Sequence, residues 1–108
     1  MAYSQDYLEY VLDQLSQFGD VQSKKMFGGV GLFHDGLMFG MIGGDVFRLK
    51  VDESNIADYE VRGMQPFSSG SKKKGMPYWE VPADVIEDPE LLKMWADKSY
   101  QAAVKAKK

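Results

Sequence analysis

Residues 32–42 read LFHDGLMFGMI, with Asp35-Gly36 set between two apolar runs. A two-residue hairpin turn needs positive φ at both central positions, and Asp-Gly tolerates this better than almost any other pair. The pair therefore predicts a tight hairpin joining "VGLF" to "LMFGMI". Gly43-Gly44-Asp45 separates the second run from "VFRLKV" in the same way, and there Phe47, Leu49 and Val51 alternate with Arg48 and Lys50. The expectation over Val21–Val51 is a meander of three antiparallel strands. Its middle strand, Leu37 to Ile42, is apolar on both faces, as a strand covered on both sides would be.

Five glycines lie within residues 26–40, MFGGVGLFHDGLMFG, which raises the question of a phosphate-binding loop. Such a loop needs G-x-G-x-x-G or G-x-x-x-x-G-K-[S/T] leading directly into a helix, so that phosphate meets the free amides at its N-terminus. Here Gly28-Gly29-Val30-Gly31 leads into more strand, and neither motif occurs. Gly28, Gly29, Gly31 and Gly40 read instead as sheet glycines, marking bulges or the close approach of another backbone.

Helices are expected on either side of this region. Ser4 can cap a first helix running to Phe18, whose Tyr7, Leu8, Val11, Leu12, Leu15 and Phe18 form one apolar stripe, with Gly19 at its end. A short second helix is expected after Asp52 or Ser54, with Ile56, Tyr59 and Val61 as its apolar edge and Gly63 as its stop. "MQPFS" and "MPYWEV" suggest two more strands, separated by the polar loop "SSGSKKKG". Asp88-Pro89-Glu90 then announces a last helix: a cap, a proline at the first helical position, and an acid in the first turn. The order is helix, three strands, helix, two strands, helix, in one α+β domain spanning 1–108.

The chemistry-bearing residues are sparse. No cysteine is present and His34 is the lone histidine, so thiol catalysis, disulfides and a His- or Cys-based metal site have no basis. His34 adjoins the turn and reads as a solvated turn residue rather than a catalytic base. Ser68, Ser69 and Ser71 lie in no nucleophile elbow. No catalytic residue, cofactor site or metal site is assigned. Most of the seven methionines are expected to fill the core, whereas residues left over on the second face of the middle strand could instead cover a partner or a second copy.

Net charge is −3 and the pI is near 5.1, which opposes general nucleic-acid binding. The charge is uneven, however. In residues 1–52 Lys24, Lys25, Arg48 and Lys50 face a larger number of carboxylates, whereas the remainder is balanced. Lys72-Lys73-Lys74 is the one cationic run, and Lys24, Lys25, Arg48 and Lys50 could join it in contacting a partner or a nucleic acid. Phe67, Tyr78 and Trp79 flank the loop as candidate interface or pocket aromatics. The N-terminus lacks the basic start and apolar run of a signal peptide, and no stretch approaches the roughly 20 apolar residues of a membrane span, so a cytoplasmic location is expected.

"KKMFGGVGLFHDGLMFG", "FRLKVD", "GMQPFS" and "MPYWEVPADVIEDPELLKMWA" together resemble the N-terminal domain of the TfoX/Sxy family of competence regulators. Met26-Phe27-Gly28-Gly29 with Gly31, then Lys50-Val51-Asp52, Pro66-Phe67, Tyr78, Pro82 and Trp95 stand where that pattern wants them. The resemblance implies a two-layer fold with a five-stranded antiparallel sheet, similar to the secretion-chaperone-like class. It also implies a regulatory, non-catalytic role in switching on DNA-uptake genes through partner proteins. The full-length regulators carry a further helical C-terminal domain, and this chain is expected to be the N-terminal domain alone.

The leading expectation is a cytoplasmic recognition module that binds a protein partner, either another protein or a second copy. Direct nucleic-acid binding through the lysine-rich loop is the second reading. A small-ligand or enzymatic pocket beside Tyr78, Trp79 and His34 is the third.

Overall fold

Asp35 and Gly36 both take positive φ, +51° and +80°, in the computed structural model, which describes residues 4–26, 29–44, 46–64 and 77–107. They close the hairpin between β2 (Gly29–His34) and β3 (Leu37–Gly43), with His34 opposite Leu37. β4 (Val46–Lys50) pairs antiparallel with β3, and β5 (Tyr78–Glu80) with β4. The four cations of residues 1–52 all fall on strands, because Lys24 and Lys25 belong to a strand preceding the meander, β1 (Gln22–Met26), which pairs with β2. The sheet is antiparallel, in the order β1-β2-β3-β4-β5.

The five-stranded antiparallel sheet and α+β class agree with the sequence reading, and the apportioning of strands differs. Four strands precede the second helix, where three were expected. The "MQPFS" strand falls almost wholly outside the described residues.

The helices begin where their caps demand. Ser4 Oγ accepts from Tyr7 N at 3.3 Å and opens α1 (Gln5–Gln14), which tightens into a 3-10 turn over Leu15–Gln17. α2 (Ile56–Glu60) ends one residue before Val61, which is 85% exposed and forms no part of the expected apolar edge. α3 (Ala83–Ile86) is a single turn that the sequence reading did not foresee. Asp88 caps α4 (Pro89–Lys107) through Leu91 N, and Leu92, Trp95, Ala96, Ser99, Ala102 and Ala103 form its buried stripe.

Leu8, Val11 and Leu15 of the first helical segment, Tyr59 of α2, Val85 and Ile86 of α3, and the α4 stripe bury one core. On the sheet this core receives Val30, Leu32, Phe39, Ile42, Phe47 and Leu49. Strict alternation would put Phe39 and Ile42 on opposite faces. They share one because Leu32 opposes Gly40 while Phe33 opposes Met38, which leaves Phe39 as the extra residue of a bulge. Past that bulge the strand's parity is reversed.

At the end of β4 the core contains a polar knot. Asn55 is buried, accepts from Asp52 N at 2.8 Å and donates to the Lys50 carbonyl at 3.1 Å. That carbonyl accepts a second bond from the buried Ser99 hydroxyl at 2.8 Å, tying α4 to the sheet. Burial pushes the Tyr59 phenol well above its usual range, with the neighbouring Ser99 hydroxyl acting weakly the other way. Among the described residues, no hydrogen-bond partner meets the Tyr59 hydroxyl.

Candidate functional site

The bulge decides which side chains the helices leave behind. Lys24, Gly31, Met41, Arg48 and Glu80 are paired in turn across all five strands and form a row on the face away from the core. Gln22, Phe33 and Met38 form a parallel row on the same face, and Met26 belongs to it by alternation. Met26, Phe33, Met38 and Met41 are half-buried, yet none packs against the helix-covered core. Among the described residues, no helix contributes its buried side chains to this face.

Gly31 is the floor of the patch. A Cβ there would lie 2.8 Å from Met26 Sδ, 3.1 Å from Phe33 Cε1 and 3.4 Å from Met38 Cε, so three side chains converge over one glycine. Gly29 serves another purpose, since a Cβ on it would run into the carbonyl oxygen of Ile42. Both match the expectation that glycines here allow close approach, and more strand follows them, not a helix. Gly28 lies outside the described residues.

The cations stand around this patch. Lys24 shares its row with Arg48, about 14 Å away at three strand spacings. Partial burial draws Arg48 below its usual pKa and the Glu80 carboxylate opposite acts against this; a guanidinium stays charged regardless. Lys50 Nζ lies 5.3 Å from the centre of the Tyr78 ring, a cation–π contact. Burial raises the Tyr78 phenol above its ordinary value. Lys25 is adjacent to Lys24 and therefore on the other face, opposite Val30, and both lysines are exposed. Lys72, Lys73, Lys74 and Phe67 lie outside the described residues.

Among the described residues, Tyr78, Trp79 and His34 do not line one pocket. Tyr78 and Trp79 are consecutive and point to opposite faces: Tyr78 is buried outside the core cluster, while Trp79 packs against it, 6.1 Å from Tyr59. Nor is His34 a solvated turn residue. Its ring sits 4.9 Å from Phe18 and 4.8 Å from Tyr100, and Nδ1 lies 2.6 Å from the Asp20 carbonyl. A carbonyl can only accept, so Nδ1 carries the proton and His34 pins the chain after α1 to the hairpin. Such turns look solvated in sequence because Phe18 and Tyr100 are distant along the chain.

Core filling fails to account for most methionines. Of those described, Met64 packs against the core, Met94 is 59% exposed, and the other three define the second face. The doubly apolar middle strand is the sequence signal that pointed to this face. A hollow of about 320 Å³ at the end of β4 is lined by Lys50, Asp52 and Lys105 among others. Of its two carboxylates, Asp52 and Glu53, the first is already engaged: the Ser54 hydroxyl, above all, holds Asp52 below the usual carboxylate range, and Lys105 Nζ lies 3.4 Å away. Among the described residues no cluster of three His, Asp or Glu could hold a metal, and no helix is long and apolar enough to cross a membrane.

Among the described residues, the sheet of this small α+β domain has one helix-covered face and one face where an apolar patch is flanked by Lys24, Arg48 and Lys50. The profile of the family described as "TfoX N-terminal domain" matches residues 13–103, and the chain belongs to that family. No curated protein matches it.

Proposed function

We propose that this domain is a non-catalytic regulatory module that binds a protein partner through the sheet face carrying Phe33, Met38 and Met41. The observation behind the reading is that Met26, Phe33 and Met38 converge over Gly31, with Met41 paired to that glycine, and that none of the four belongs to the core. Methionine-rich surfaces adapt to a partner's shape, and an apolar centre with a charged rim is the usual anatomy of a recognition surface. Membership of the TfoX N-terminal domain family supports placing the interaction in transcriptional control, with the DNA-uptake genes as the expected target. The setting is the cytoplasm.

The partner is a different protein. Lys24, Arg48 and Lys50 outnumber Glu80 on this face, and a surface with an excess of one charge favours a partner of the opposite sign over its own copy. Affinity purification with three baits tests the reading: the native chain, Met41→Glu and Val61→Glu. Met41 faces Arg48, so the new carboxylate is tolerated by the sheet, and Val61 is exposed on the helical side. The expected result is one co-purifying protein that Met41→Glu loses and Val61→Glu retains. Loss with neither bait, or with Val61→Glu alone, contradicts the reading.

A further inference from the structure

The charges of the first half of the chain are sorted by structure. Lys24, Lys25, Arg48 and Lys50 all lie on strands. Asp6, Glu9 and Asp13 lie on α1, while Asp20, Asp35 and Asp52 lie in connections, so β1, β2, β3 and β4 carry four cations and no carboxylate. With Glu80 of β5 as the one carboxylate on its described strands, a chain of net charge −3 still presents a sheet with an excess of cations.

β1 is the edge of that sheet and the described helices leave it bare. Gln22, Ser23, Lys24 and Lys25 are exposed whichever face they point to. Among the described residues β1 pairs only with β2, so one row of its backbone N–H and C=O groups lacks a ladder partner. Unprotected edges invite another strand, and lysines on an edge select which strand can add. Lys24 on the second face and Lys25 on the other would each meet a neighbour on an added strand. Two copies pairing β1 to β1 would oppose these lysines, which is unfavourable for directly opposed like charges.

We propose that the partner docks as an extended acidic segment added to the free edge of β1, its carboxylates opposite Lys24 and Lys25 and its apolar side chains continuing the Met26–Phe33–Met38 patch. The inference rests on the reading of the second face as a partner surface. Strand addition takes affinity from main-chain hydrogen bonds and selectivity from alternate side chains, and the edge offers both. A nucleic acid would also answer the cations, but its phosphates have no use for the unpaired ladder groups or the apolar floor over Gly31.

The test is fluorescence anisotropy at neutral pH with a labelled Glu-Val peptide in which a Glu-Glu pair, one carboxylate for each face of the added strand, is flanked by valines. Its comparators are the Lys-Val counterpart, a Glu-Val peptide N-methylated at alternate residues, and a single-stranded oligonucleotide. The Glu-Val peptide is expected to bind, to weaken with added salt, and to shift amide resonances of residues 22–26 and 30–33. Lys24→Glu combined with Lys25→Glu, exposed positions that keep the fold, and backbone methylation should each weaken binding by about tenfold or more. No binding at low salt, equal binding of the methylated or Lys-Val peptide, tighter binding of the oligonucleotide, or shifts confined to helices overturns the proposal. So does concentration-dependent self-association that the lysine reversals abolish. If Lys24→Glu/Lys25→Glu used as bait still captures the protein that Met41→Glu loses, strand addition is wrong and the partner face stands. If Met41→Glu loses nothing either, both fall.

Discussion

Phe39 and Met38 are neighbours in sequence and belong to different regions of the molecule. Phe39 is wholly buried beneath α1 and α4, in contact with Phe18 at 5.1 Å, whereas Met38 leans over Gly31 on the face that no described helix covers. One face of the sheet is committed to stability, with aliphatic and aromatic side chains fixed by helices on every side. The other holds the adaptable residues, three methionines and one phenylalanine, ringed by Lys24, Arg48 and Lys50. The same strand serves both faces because a single bulge reassigns its side chains.

If that division is real, substitution on the two faces should differ sharply. Phe39→Ala should cost about 3–5 kcal/mol of unfolding free energy, read from urea denaturation, because it opens a cavity that the helices cannot close. Met38→Ala on the adjoining residue should stay within about 1 kcal/mol. Equal losses would erase the distinction. The glycines sharpen it. Gly29→Ala forces a methyl group against the Ile42 carbonyl and should cost about 1–3 kcal/mol. Gly31→Ala meets chiefly the movable end of Met26 and should cost less, while displacing the patch that Gly31 floors.

Smaller effects probe the polar groups on the covered side. Asn55→Ala removes both the acceptor for Asp52 N and one donor to the Lys50 carbonyl, for an expected loss of about 1–2 kcal/mol. Ser99 still serves that carbonyl, so the two losses should be non-additive when Ser99→Ala is combined with it. Tyr59→Phe should change stability least at neutral pH, since the hydroxyl it deletes is buried without a partner among the described residues. Its effect appears in alkali. Folding raises the Tyr59 pKa, so its contribution is complete below the unfolded value of about 10 and is lost as pH climbs beyond it. Denaturation from pH 9 upward should show the native chain losing stability faster than Tyr59→Phe, with Tyr78 leaving a residual decline in both.

Local signals were legible in the sequence and remote ones were not. The Asp35-Gly36 turn, the Ser4 cap and the Asp88-Pro89 helix start are each decided within a few residues, and each is found as expected. β1 escaped notice because Gln22, Ser23, Lys24 and Lys25 are all polar and exposed, leaving Met26 as its one apolar residue and no period of two. The bulge at Phe39 is invisible to alternation, since it depends on the register with β2. Without it, Leu37, Phe39 and Ile42 cannot be assigned to one face, nor Met38 and Met41 to the other. His34 was misread for a related reason, its neighbours Phe18 and Tyr100 being brought to it by two helices. Of the candidate site, Lys24, Arg48 and Lys50 were named from charge alone, whereas the apolar floor they surround was foreshadowed only by a middle strand with too few polar residues.

The most direct test of the second face as a recognition surface is photocrosslinking in cells, with a photoreactive amino acid placed at position 41 in one protein and at position 61 in another. Both positions accept the change without touching the core, and melting curves of the purified proteins verify it. A discrete protein adduct from position 41 and none from position 61 is the predicted result. An adduct from position 61 alone, or none from either, would contradict the division of labour between the two faces.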